Sequence, residues 1–106
     1  MVTQFVKVCS ETEIEEGKTK LFFVNDEPVI VARYNGQINA IEGICSHDSG
    51  EFGDNETLID SQIECPRHGA RFDIRTGEAK RLPAVAGIKS YEVKVADGQV
   101  YIAAGQ

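Results

Sequence analysis

Both histidines of this 106-residue chain sit beside a cysteine, in two short elements, Cys45-Ser46-His47 and Cys65-Pro66-Arg67-His68. Together they read C-x-H-x17-C-x2-H, and no other feature limits the possible folds as strongly. Thiolates and imidazoles at short spacing are the donors that transition metals select. If Cys45 and Cys65 were only small apolar core residues, the pairing of every histidine with one of them would be coincidence. The third cysteine, Cys9, stands alone in the strand-like run Phe5 to Cys9 and reads as structural. An odd number of cysteines argues against a disulfide framework and for a reducing compartment.

Tetrahedral zinc sites with two cysteines and two histidines usually pair like with like, as C-x2–4-C followed by H-x3–5-H. Here each element supplies one thiolate and one imidazole. A binuclear [2Fe–2S] cluster accommodates that pattern, with both cysteines on one iron and both histidines on the other. Each loop then touches both irons and clamps the cluster. A zinc-stapled interaction module is the competing reading of the same residues.

Length and composition bound the rest. One domain spans residues 1–106, and a chain of this size buries roughly 65 % of its extended surface in one modest core. Hydrophobic residues at 42 % and charged residues at 26 % are ordinary globular values. The formal charge of −6 leaves no basic stripe for phosphates, which excludes a nucleic-acid binder. No apolar run is long enough for a transmembrane helix. Met1 to Cys9 is too short and too polar for a signal segment, so a cytoplasmic monomer is expected. Charge is uneven: residues 1–66 hold thirteen acids against four bases, and residues 67–106 hold seven bases against four acids. Five of those bases fall between Arg67 and Arg81, directly after Cys65.

The local pattern is β throughout. Leu21 to Val24, a turn at Asn25-Asp26 and Pro28 to Tyr34 form a strand–turn–strand unit. Asn35-Gly36 favours a type I′ turn into Gln37 to Glu42, and Asp97-Gly98 does the same between Ile88–Val95 and Val100–Ala103. Ser10 to Glu16 allows one helical turn capped by Ser10 or Thr12. Short apolar pieces at Leu58-Ile59, Ile63 and Ala70 to Ile74 lie among the Cys/His elements, and Thr76-Gly77 marks a further turn. The expected fold is all-β: an antiparallel sandwich or barrel-like base (about 1–42 and 84–106) with an inserted cluster-binding lobe (about 43–83).

On these motifs, and on Leu82-Pro83-Ala84, the chain resembles the Rieske-type [2Fe–2S] ferredoxins along nearly its whole length. The resemblance implies one [2Fe–2S] cluster, with Cys45 and Cys65 on one iron and His47 and His68 on the more exposed one. It places Pro83 on a loop that shields the cluster. It also makes the backbone amides of Ser46, His47, Gly50, His68, Gly69 and Ala70 candidates to face the cluster sulfurs. High-potential relatives carry an extra cysteine in each loop, where this chain has Gly50 and Arg67 nearby. They also donate serine and tyrosine hydroxyls, where Ala70 and Phe72 stand here. Without those donors the reduced cluster is less stabilised, which implies the low end of the Rieske range, around ~−150 mV rather than ~+300 mV.

The implied role is a one-electron carrier rather than an enzyme, the ferredoxin component of a ring-hydroxylating dioxygenase system. It would take electrons from an NAD(P)H-dependent flavin reductase and pass them to a terminal oxygenase. The alternative is a small Rieske-like accessory subunit of an NAD(P)H-dependent nitrite reductase. Arg67, next to His68, is expected to face a carboxylate on the partner.

Overall fold

The computed structural model describes residues 4–46, 50–54, 56 and 58–103. Eleven strands are present among them: β1 (Phe5–Ser10), β2 (Thr19–Val24), β3 (Glu27–Tyr34), β4 (Gln37–Glu42), β5 (Leu58–Ile59), β6 (Gln62–Glu64), β7 (Arg71–Asp73), β8 (Ala79–Arg81), β9 (Ser90–Tyr91), β10 (Val93–Ala96) and β11 (Gln99–Ala103). They form three antiparallel sheets, ordered β1-β11-β10, β2-β3-β4-β9 and β5-β6-β7-β8. The fold is all-β, as the turn and alternation pattern implied.

Positive φ is concentrated where the hairpins reverse. Asn25 (φ 52°) and Asp26 (φ 67°) join β2 to β3, and Asn35 (φ 56°) and Gly36 (φ 80°) join β3 to β4. Asp97 (φ 53°) and Gly98 (φ 74°) join β10 to β11. Asn, Asp and Gly tolerate this region, and two such residues in succession match the twist of the flanking strands. The Glu16 carboxylate accepts the amides of Asn35 and Gly36 at 2.6 and 2.8 Å and fixes the second of these turns. Ser10 caps the short 3-10 turn Glu11–Glu13, with Glu13 reaching back to the Ser10 amide.

The central sheet is a wall shared by two cores, which explains the unbroken apolar run in β3. Side chains alternate faces along a strand. Val29 and Val31 pack with Cys9, Ile14, Val100 and Ile102 against the first sheet. Ile30 and Ala32 face the other way and pack with Cys45, Phe52, Cys65 and Phe72. Cys9 is 5 % exposed within the first core, the structural place its isolation suggested.

One expected strand is divided. Ile88 to Val95 reads as continuous, yet Ser90-Tyr91 pairs with β4 and Val93–Ala96 pairs with β11. Between them the Glu92 carbonyl accepts the Ala103 amide at 2.9 Å. The first two sheets diverge around the core, and a strand that closes such a corner passes from one sheet to the other.

Candidate metal centre

The third sheet, Leu58 to Arg81, carries one of the two Cys/His loops on its β6–β7 turn. Cys65 leaves β6 with its amide bonded to the Ala70 carbonyl (2.7 Å). The Gly69 amide returns to the Cys65 carbonyl (2.9 Å), and Gly69 adopts φ 78° to do so. That hydrogen bond closes the loop on itself, so the Gly69 amide is used within the loop instead of facing a cluster sulfur as expected. Described residues on either side of the other loop are also tied by backbone bonds. The Cys45 amide bonds the Gly50 carbonyl (2.8 Å) and the Phe52 amide bonds the Gly43 carbonyl (2.9 Å). Gly43 has no room for a side chain: a Cβ there would lie 2.9 Å from the Pro28 carbonyl carbon.

Cys45 and Cys65 are both fully buried (0 % exposed) in one apolar cluster with Phe52, Ala70, Phe72 and Ala84. Phe52 and Phe72 meet edge to face, with centroids 6.0 Å apart at 82°. His68 is exposed beyond this cluster. His47, the fourth expected ligand, lies outside the described residues. Among the described residues, no three His, Cys, Asp or Glu side chains stand in single-ion geometry.

A third loop, 82–87, lies against the first. Leu82 and Val85 are 72 % and 83 % exposed, whereas Ala84 between them is 5 % exposed and inserted among the cysteines' neighbours. The Ser46 hydroxyl donates to the Ala86 carbonyl and ties this loop to the one carrying Cys45. The bond joins residues forty positions apart, which no local pattern announces. Pro83 sits in this loop after a cis peptide bond.

The cluster of bases after Cys65 is engaged within the chain. The Arg67 Nη1 donates to the Glu51 carbonyl at 3.1 Å. Arg71 and Arg81 both approach the Glu64 carboxylate, at 3.4 and 3.8 Å. Arg75 pairs with Asp73 at 3.1 Å and Lys80 with Glu78 at 3.4 Å. Burial alone would raise the Asp73 pKa, but hydrogen bonds and charge from Arg75 outweigh it and hold the carboxyl below the usual value.

A small all-β scaffold with two thiols buried under paired loops and a histidine at the surface has the form of an electron-transfer metal domain. Residues 4–92 match the Rieske [2Fe-2S] domain, and the chain belongs to that family, whose domain binds one [2Fe–2S] cluster. The chain is 34 % identical over 96 residues to the 3-phenylpropionate/cinnamic acid dioxygenase ferredoxin subunit of Photorhabdus laumondii, covering 90 % of each. It superposes on the ferredoxin of carbazole 1,9a-dioxygenase from Nocardioides aromaticivorans with a TM-score of 0.87. Identity there is 32 %, over 95 % of this chain and 98 % of that one. A ferredoxin-fold match of TM-score 0.85 and 31 % identity comes from a complex of reduced oxygenase and oxidized ferredoxin in carbazole 1,9a-dioxygenase, covering 96 % and 94 % of the two chains. A Mycobacterium tuberculosis protein described as a putative NADH-dependent nitrite reductase small subunit shares the fold at a TM-score of 0.86 but only 15 % identity.

The described donors, Cys45, Cys65 and His68, are of the kinds such a cluster takes. Two thiols without solvent contact, walled by aromatic and small apolar side chains, suit the buried iron. An exposed imidazole one turn away suits the iron nearer the surface.

Proposed function

We propose that this chain is a one-electron carrier, the ferredoxin component of a ring-hydroxylating dioxygenase system. Cys45 and Cys65 hold one iron of its [2Fe–2S] cluster, and His47 and His68 hold the other. The observation that carries the reading is the pair of fully buried thiols, Cys45 and Cys65, in one apolar cluster, with His68 exposed three residues after Cys65. When bound, the cluster accepts and returns a single electron.

The chain's own residues set the conditions for that exchange. Phe52, Phe72 and Ala84 keep water from the two thiolates. Ala70 and Phe72, both fully buried, bring no side-chain hydroxyl to the loops, which favours a potential near ~−150 mV. His68 occupies the surface where a partner can approach closely. In the 82–87 loop, which Ser46 ties to the Cys45 loop, Leu82, Pro83, Val85 and Ala86 are exposed and offer an apolar contact face.

The donor to this carrier is an NAD(P)H-dependent flavin reductase, and the acceptor is a terminal oxygenase. The carrier works as a cytoplasmic monomer, one domain with its base at about 1–42 and 84–106 and its cluster lobe at about 43–83. Among the described residues no helix is long and apolar enough to cross a membrane. The net charge of −6 favours a basic patch on at least one partner, and that attraction weakens as salt rises.

Low-temperature EPR of the dithionite-reduced protein tests the cluster. A rhombic signal with the low average g of mixed His/Cys ligation is expected. Stoichiometric zinc in a colourless, EPR-silent sample overturns the reading. The carrier role is tested by adding purified reductase and oxygenase components and following NAD(P)H-dependent substrate oxidation, which should need this chain.

A further inference from the structure

Gly50 and Arg67 belong to different loops, one following Cys45 and the other following Cys65, and they meet face to face. A Cβ built on Gly50 would lie 2.7 Å from Arg67 Cζ, 2.8 Å from Nη2 and 2.9 Å from Nε. Three guanidinium atoms at nearly equal distance mean that the planar group lies flat over the Gly50 Cα. The same group donates from Nη1 to the Glu51 carbonyl at 3.1 Å. Gly50 is not among the residues with positive φ, so its backbone conformation is open to any residue. Glycine leaves open the space that the guanidinium fills.

We propose that Arg67 is a positioning residue, a non-covalent strap whose guanidinium, laid over Gly50 and bonded to Glu51, holds the two cysteine-bearing loops together. This rests on the reading that those loops enclose the [2Fe–2S] cluster. The Gly50 carbonyl accepts the Cys45 amide, so fixing Gly50 also fixes the backbone at Cys45. The strap needs the flat, forked donor of arginine. Lysine keeps the charge but offers a single rotating ammonium that cannot lie flat over Gly50. An Arg67 acting only as a surface charge toward a partner would tolerate lysine.

Gly50→Ala supplies the sharpest probe, because a methyl group there evicts the guanidinium while leaving Arg67 in the chain. The displaced group is the far end of a flexible side chain, so the fold survives the change. Two readouts apply. One is the rate at which a chelator bleaches the oxidised holoprotein. The other is amide hydrogen exchange in peptides covering 44–52 and 65–70, which can also be read on protein without iron.

Arg67→Lys, Arg67→Ala and Gly50→Ala should each raise both rates by roughly fivefold, as expected for losing one hydrogen bond and its stacking contact. Exchange in the β2–β3–β4 hairpins should stay unchanged. The Gly50→Ala/Arg67→Ala double variant should be no faster than Arg67→Ala alone, since Gly50→Ala acts only by displacing that guanidinium. Parent rates in Arg67→Lys, or additive effects in the double variant, overturn the strap. If the parent takes up no cluster even after reconstitution with iron and sulfide, the cluster reading fails, and the exchange measurements alone decide the strap.

Discussion

The Ile88 amide donates to the Gly77 carbonyl at 2.7 Å, and the Ile88 carbonyl occupies the space where a Cβ on Gly77 would stand. Gly77 lies at φ 82°, and Gly87 is equally confined, since its own Cβ would come 2.9 Å from the Gly77 carbonyl oxygen. The end of the 82–87 loop therefore crosses the β7–β8 turn backbone to backbone. A rigid crossing at this point delivers Ala84 into the pocket behind the two cysteines.

Gly77→Ala should be severely destabilising, by more than ~2 kcal/mol, because main chain on both sides cannot yield and the φ is strained for alanine. Equilibrium urea unfolding of the variant checks this. A midpoint equal to the parent's would show that the crossing is not needed for the fold.

Ser46→Ala should release the 82–87 loop without unfolding the base. The lost bond is at the surface, so the cost is about 1 kcal/mol or less. Hydrogen exchange of a peptide spanning 82–87 should speed up, and Ser46→Thr, which keeps the hydroxyl, should restore it. Equal exchange in the alanine and parent proteins removes Ser46 as the tie.

Asp73 carries the clearest acid-linked stability. Its carboxylate accepts three hydrogen bonds from Arg75, from the amide (2.9 Å), Nε (3.1 Å) and Nη2 (3.1 Å). Despite the opposing effect of burial, its folded pKa lies below the ordinary value. A depressed pKa means the folded state prefers the ionised form. The stabilisation is present above the unfolded pKa of about 4 and lost as pH falls through the lower folded value. Asp73→Asn should cost about 1–3 kcal/mol at neutral pH and flatten the loss of stability below about pH 4. Denaturation curves from pH 2 to 7 provide the comparison, and parallel curves for variant and parent would contradict it.

Cys9 should be chemically silent. Burial, reinforced by the Glu13 carboxylate, pushes its thiol up to about 11, so almost no thiolate exists at pH 8. Alkylation by iodoacetamide should occur there only after unfolding, and Cys9→Ala should retain its full iron content. Iron loss in that variant would mean that the ligand set includes Cys9.

The sequence alone made the hairpins legible, because each depends on residues adjacent in the chain. Asn35-Gly36 and Asp97-Gly98 turn where local φ preferences require. The division of Ile88–Val95 between two sheets was not legible. Its residues have ordinary strand propensity throughout, and only the divergence of the sheets around Tyr91 separates them.

The same boundary runs through the candidate site. The spacing of Cys45, His47, Cys65 and His68 named the donor types and the family, since ligand chemistry is written in residue identity and short intervals. Tertiary structure alone placed the two thiols in one dry cluster, laid Arg67 across Gly50 and joined Ser46 to Ala86. It also brought Arg67 to the Glu51 carbonyl and Arg71 to the Glu64 carboxylate. Most of those contacts join residues far apart in the chain, and sequence pattern carries no record of which distant surfaces the sheets bring together.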